Sequence, residues 1–154
     1  MSVNLKAFTK QLDCMLDEWS YYIDRASGES LSFQDRYLSL AEEPEEAQAF
    51  PLAAWEQEEI EAAKTMLTRW DDIIRFPDKR ELNEYGIMEG FIEALTDSHQ
   101  RECLEVAISG RGAFRRFKDT LPRFGLSEKW YSYKDETLLG FARRWCEENG
   151  LTYT

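Results

Sequence analysis

Apolar residues recur every three or four positions over most of this chain, which is the spacing of one face of an α-helix. The first such run begins with Leu5, Phe8 and Leu12 and extends to Leu16. Asn4 precedes the run, and asparagine is one of the residues that cap helix N-termini. We therefore predict an amphipathic helix that begins after Asn4.

The period changes to two at Trp19–Asp24, where Trp19, Tyr21 and Ile23 alternate with Ser20, Tyr22 and Asp24. Alternation with aromatic and β-branched residues favours a strand, whose side chains point to opposite faces in turn. Residues 25–29 contain Gly28 and predict a short loop, and Ser30–Phe33 is the predicted return strand. An isolated hairpin is marginally stable, so we predict that Ile73–Phe76 joins it as a third strand.

The pattern between the hairpin and the third strand is less regular. Residues 34–50 contain an acidic run around Pro44 and predict a loop, and a helical turn before that loop is left open. A helix is predicted from Pro51 to Trp70. Its predicted buried stripe contains Leu52, Trp55, Ala62, Ala63, Met66, Leu67 and Trp70.

From residue 82 onward the pattern is helical. Stripes of apolar residues predict helices over 82–95 and 98–108, and Gly110 suits the C-cap of the second. A basic helix follows and ends at Pro122 and Gly125, and Ser127 is predicted to cap the last helix, which ends at Gly150. The predicted inward residues of the last helix are Trp130, Tyr131, Leu138, Phe141, Ala142 and Trp145.

These elements predict the fold class. The 154 residues suit one domain, residues 1–154, with enough apolar side chains for a core. We predict an α+β fold in which a small antiparallel sheet, formed by the hairpin and the third strand, packs against a mainly helical layer.

The charge restricts the partners. The formal net charge is −11, and most of the excess acid lies in residues 1–77. Such a field repels nucleic acid and anionic membrane, so neither is expected to bind over the whole surface. Three separated cysteines predict reduced thiols rather than disulfides. The N-terminal residues do not form a signal-peptide pattern and no apolar run has membrane-spanning length, so we expect a cytoplasmic protein without membrane contact.

One basic island interrupts this acidic chain, at Ile108–Gly125. Written as a helix, it places Ala113, Phe114, Phe117 and Leu121 on a face to be buried and its cations on the other face. Two interpretations stay open, namely an anion site near a helix N-terminus and internal neutralisation of the arginines by the protein's own acids. The candidate binding residues are Arg111, Gly112, Arg115, Arg116, Lys118 and Arg123.

Residues that suit catalysis are scarce. The sequence has no serine-hydrolase, zinc-protease, P-loop or dinucleotide-binding motif, so we predict no catalytic residue, cofactor or metal site. His99 and Cys103 are spaced to face each other across one helical turn, but Cys103 also fits the apolar stripe of its helix. Glu89 and Glu93 have the spacing of an ordinary solvated helix face.

The order of several motifs resembles a known family. The chain is similar to members of the bacterial uncharacterised protein family 0158, and the resemblance covers nearly its whole length. It implies an α+β bacterial cytoplasmic protein and transfers no catalytic residue. The matching stretches are WSYYIDRASGE (19–29), NEYGIMEGFIEAL (83–95), GRGAFRRFKDTLPRFG (110–125), KWYSYKDE (129–136) and ARRWCEENGL (142–151).

The functional hypotheses follow from the basic helix. The first is a small non-enzymatic interaction or regulatory protein whose residues 111–123 engage an acidic protein partner or a small anion. The second is a nucleic-acid-binding or nucleotide-binding protein, for which Tyr133 is the predicted exposed aromatic residue. The third is a hydrolase without a recognisable motif. The oligomeric state does not follow from the sequence.

Overall fold

The computed structural model describes residues 2–43 and 51–154. The chain forms two compact units, of which unit 1 contains Met1–Phe76 and Ala142–Thr154 and unit 2 contains Pro77–Phe141. The prediction of a single domain therefore stays a prediction. No helix of the described residues is long and apolar enough to cross a lipid bilayer.

Unit 1 begins with a helix and a sheet. Helix α1 (Leu5–Asp13) starts where predicted, and the Asn4 Oδ1 atom accepts a hydrogen bond from the Ala7 N–H at 3.0 Å. The predicted hairpin is confirmed as β1 (Trp19–Asp24) and β2 (Ser30–Gln34). The third strand, β3 (Ile73–Arg75), pairs with β1 on its other edge, and both pairings are antiparallel.

Two helices cover this sheet. Helix α2 (Asp35–Glu42) occupies the first half of segment 34–50, which the sequence predicts as a loop, and residues 44–50 of that prediction lie outside the described residues. Helix α3 (Ala54–Thr68) follows. Side chains of the sheet and of both helices form one core, which consists of Tyr22, Phe33, Ala63 and Met66 with Leu31, Leu38, Ala41, Leu67 and Ile73 packed against them.

The predicted burial of two tryptophans is wrong. Trp55 is 57% exposed and Trp70 is 50% exposed. The buried stripe of α3 runs through Ile60, Ala63 and Met66, so Trp55 in the first turn lies beside the stripe, and Trp70 follows the end of the helix. Each ring keeps one edge contact, Trp55 with Tyr37 at 6.0 Å and Trp70 with Tyr22 at 5.7 Å between ring centroids.

Unit 2 is helical. Its elements are α4 (Lys79–Leu82), α5 (Glu84–Glu93), α6 (Ser98–Ala107), α7 (Ala113–Thr120) and a 3-10 turn at Leu121–Phe124. Helix α8 (Ser127–Glu148) contributes residues to each unit. The core of unit 2 contains an aromatic cluster in which the ring of Phe91 contacts the rings of Phe117, Trp130 and Tyr133 edge-on.

The aromatic residues of α8 differ partly from the prediction. Trp130, Leu138, Ala142 and Trp145 are buried as predicted, but Tyr131 is exposed. Tyr133, which the sequence predicts as the exposed aromatic residue, is half-buried against Phe91 with 5.5 Å between ring centroids. The fold class is confirmed, since a three-stranded antiparallel sheet packs against helices in an otherwise helical chain.

Candidate basic interaction face on helix α7

The connection between α6 and α7 depends on two glycines. Gly110 has a φ of +77° and Gly112 has a φ of +75°, a left-handed conformation that residues with a Cβ rarely adopt. Gly110 follows the end of α6, and Gly112 is the N-cap of α7. The glycines thus allow the chain to reverse within five residues, from Ala107 to Ala113.

Arg116 holds this connection together. Its guanidinium donates hydrogen bonds to three main-chain carbonyls, of which the Ala107 oxygen lies 2.8 Å from Nε, and the oxygens of Ser109 and Arg111 accept from the two terminal nitrogens. The carbonyls at the C-terminal end of a helix lack intrahelical partners, so a cation at this place satisfies them and suits the helix dipole. The donors of Arg116 are therefore satisfied within the protein, by carbonyls and not by the acids that the sequence suggests.

Phe117 anchors α7. It is buried, and its ring lies edge-on to the rings of Trp130 at 4.7 Å and of Phe91 at 6.1 Å between centroids. Ala113 and Leu121 are also buried on this side of the segment. These three predictions from the helical pattern are confirmed.

The prediction that Phe114 is buried is wrong, because 46% of the residue is exposed. At about 3.6 residues per turn, the stripe of Ala113, Phe117 and Thr120 places Phe114 at the margin of the buried face. The ring therefore lies next to the cations of the solvent side. The sequence analysis places Phe114 on the buried face, although its position one residue after the buried Ala113 indicates the margin of that face.

We use the name outer face for Phe114, Arg115 and Lys118. They are neighbours on α7, since residues three and four apart share one side of a helix. The Arg115 side chain is 89% exposed, and its Nε atom lies 3.9 Å from the Asp119 Oδ2 atom. An exposed pair of this length contributes little, at most about 0.5 kcal/mol, so Arg115 is available to a stronger partner.

The remaining predicted cations lie beside the outer face. Arg111 precedes the helix, and Arg123 is in the 3-10 turn that follows it. Within residues 2–43 and 51–154, no carboxylate lies at ion-pair distance from Arg111, Lys118 or Arg123. The structure thus places the six predicted residues along one segment, with Arg116 turned to the main chain.

A groove lies on the other side of α7, between that helix and α6. It has a volume of about 920 Å³ and an open mouth. Its lining residues include His99 and Cys103 from α6, Arg116 from α7, and Arg123 and Phe124 from the 3-10 turn. In the described part of the chain, no group of three or more His, Cys, Asp and Glu side chains is arranged to hold a metal ion.

Comparisons with known proteins agree with the motif resemblance. No solved structure matches the chain. A protein of Pseudomonas aeruginosa, named as a UPF0158 protein, is 31% identical over 67 residues. That alignment covers 43% of this chain and spans 44% of the length of the Pseudomonas protein. A family model described as "Uncharacterised protein family (UPF0158)" matches residues 1–154. The chain therefore belongs to the uncharacterised protein family UPF0158.

Proposed function

We propose that this protein is a small non-enzymatic interaction protein that binds an acidic segment of another protein on the outer face of α7. One observation carries the proposal, namely the exposed ring of Phe114 beside the exposed cations Arg115 and Lys118. Arg111 and Arg123 extend the positive charge at either end of the face.

The composition of the face favours a protein partner over a free inorganic anion. A bound anion would leave the Phe114 ring in water, whereas an apolar side chain of a partner would cover it. Complete burial of a large apolar side chain contributes about 1.5–3 kcal/mol, and Phe114, which is 46% exposed, has about half of that left to gain. The guanidinium of Arg115 can pair with a carboxylate through two parallel hydrogen bonds, which adds a geometric requirement to the attraction between charges.

Because the whole chain is acidic, the outer face is a local cationic surface and not part of a general one. With a net charge of −11, the chain repels polyanions at long range. Binding of nucleic acid depends on neutralising several phosphates at once, and the four available cations next to an acidic surface meet this requirement poorly. They are Arg111, Arg115, Lys118 and Arg123. A short acidic segment with an apolar residue needs fewer contacts.

The proposal is tested with synthetic peptides and amide NMR signals. The probe is a peptide of glutamates with leucine at helical spacing, and the comparison peptide has lysine in place of glutamate. We expect signals from residues 111–123 to shift with the acidic peptide only. The affinity should fall as salt is added, since screening weakens contacts between exposed charges.

A matched pair of charge reversals tests the assignment. The double variant Arg115→Glu and Lys118→Glu should weaken binding by about tenfold or more, because it replaces attraction by repulsion. The double variant Lys10→Glu and Lys129→Glu changes the net charge equally at exposed positions outside the face and should retain the affinity. Equal losses in the two double variants would show that only the net charge matters and would end the proposal.

Phe114 separates a protein partner from other anions. Phe114→Ala should reduce the affinity for the leucine-containing peptide and leave any binding of inorganic phosphate unchanged. Binding of phosphate or of a short single-stranded RNA that exceeds binding of the peptide would contradict the proposal.

A further inference from the structure

The groove between α6 and α7 contains a thiol beside an imidazole. The Cys103 Sγ atom lies 3.9 Å from the His99 Nε2 atom, across one turn of α6. The His99 ring is held edge-on to Phe124, with 5.9 Å between ring centroids. All three side chains line the groove, and Cys103 is half-buried there. The imidazole is thus positioned to take the proton of the thiol.

Charged side chains of both signs line the groove. Arg116 and Arg123 line it together with Glu102 and Asp119, and Asp119 is also paired with Arg115. The two guanidinium groups of the lining therefore balance its two carboxylates, so the groove carries no net charge in a chain whose net charge is −11. Arg116 is bound to main-chain carbonyls, whereas Arg123 has no ion-pair partner among residues 2–43 and 51–154, so Arg123 is the groove cation available to a ligand.

We propose that Cys103 is a modification site that undergoes thiol–disulfide exchange with small disulfides bearing carboxylates, and that Arg123 selects for their negative charge. The proposal does not depend on the acidic partner of α7.

The protons, electrons and bonds of this exchange are all accounted for by Cys103, His99 and the incoming disulfide. The His99 Nε2 atom takes the proton of the Cys103 thiol, and the Sγ thiolate attacks one sulfur of the incoming disulfide. The bond between the two sulfurs of that disulfide breaks, and a bond from Sγ to the attacked sulfur forms. The sulfur that leaves carries the electron pair of the broken bond and takes the proton from His99. Cys103 is oxidised to a mixed disulfide, and the other half of the reagent is reduced to a thiol.

The other two cysteines serve as controls in the same molecule. Cys14 is exposed, follows Asp13 in the chain, and has no imidazole available in its own unit, because His99 is the one histidine of the sequence. Cys146 is fully buried, and burial raises the pKa of its thiol to about 11. We therefore expect Cys146 not to react in the folded protein.

The test compares two reagents and two variants of the full chain. Cys14→Ser leaves Cys103 as the accessible thiol, and Cys103→Ser leaves Cys14. Each variant is treated with oxidised glutathione, which is anionic, and with neutral bis(2-hydroxyethyl) disulfide at low salt, and adducts are counted by intact mass spectrometry. The ratio of the reaction rate with the anionic reagent to that with the neutral reagent should be about tenfold higher for Cys103 than for Cys14. The reason is that Arg123 attracts the anion near Cys103, whereas the acidic Asp13 adjoins Cys14.

Two further variants separate the roles of the neighbours. Arg123→Gln in the Cys14→Ser background should lower that ratio towards the value of Cys14 and leave the neutral rate unchanged. His99→Gln should slow both reagents by the same factor. Equal ratios for Cys103 and Cys14, or a ratio that Arg123→Gln does not change, would overturn the proposal.

Discussion

At the residue scale, the buried carboxylate of Asp24 accepts several hydrogen bonds. It lies at the end of β1 and is buried, and its Oδ2 and Oδ1 atoms accept hydrogen bonds from the two terminal nitrogens of Arg69 at 2.6 Å and 2.9 Å. Oδ1 also accepts the Ala26 N–H at 2.9 Å. The Arg69 hydrogen bond, assisted by the Ala26 N–H, holds the pKa of the Asp24 carboxyl below its usual range, although burial opposes the shift.

We predict that Asp24→Asn lowers the free energy of unfolding by about 1–3 kcal/mol near pH 7, since it removes one partner of a partly buried ion pair. The loss is measured by urea unfolding with tryptophan fluorescence. Asp71→Asn, at an exposed position nearby, is the control and should change the free energy by less than about 0.5 kcal/mol.

The same pair predicts a pH dependence. The folded-state pKa of Asp24 lies below the unfolded value, so its stabilisation is present above the unfolded pKa of about 3.9 and is lost as the pH falls towards the folded pKa. The difference between wild type and Asp24→Asn should therefore be constant from neutral pH to about pH 5 and shrink below about pH 4. A difference that persists undiminished at the lowest pH would show that the ionised carboxylate is not its cause.

At the scale of elements, the connection between α6 and α7 depends on Arg116. One rigid guanidinium reaches three main-chain carbonyls at the end of α6 and in the connection, whereas lysine presents its donors from a single point. We predict that Arg116→Lys lowers the free energy of unfolding by about 1–2 kcal/mol. Amide hydrogen exchange should report faster opening of residues 107–113.

The neighbouring arginine supplies the control for this prediction. Arg115 is exposed and makes one long ion pair, so Arg115→Lys should change the free energy of unfolding by less than about 0.5 kcal/mol. Equal effects at both positions would mean that the carbonyl contacts of Arg116 do not stabilise the connection.

Patterns within an element were sufficient to predict most helices and all three strands. The period of α7 identifies Phe117 as its anchor, and Asn4 marks the start of α1, because both signals depend on residues within one or two turns. The sequence does not predict α2 as an element, since its eight residues have an acid at each end and bury only Tyr37 completely. The helix is stabilised by its contacts with α3 and β2, which no local pattern contains.

At the scale of the whole molecule, helix α8 runs through residues of both compact units. Its main-chain hydrogen bonds are continuous from Ser127 to Glu148, so disruption of one end removes support from the other. We predict that the chain unfolds as one cooperative domain. Hydrogen exchange followed by mass spectrometry across a urea series should give the same midpoint for residues 19–34 and residues 84–93. Two separate midpoints would instead define two domains.

The sequence by itself determined the order and type of most elements, the helix end marked by Gly110, and the position of the basic segment in an acidic chain. Those features follow from interactions within a few residues and from charges that can be counted. Only the tertiary structure decided that Phe114 and Trp55 reach the surface, that carbonyls engage Arg116, and that His99 and Cys103 face a groove. These outcomes depend on which distant segments cover each side of a helix, and a periodic pattern defines a face without naming what packs against it.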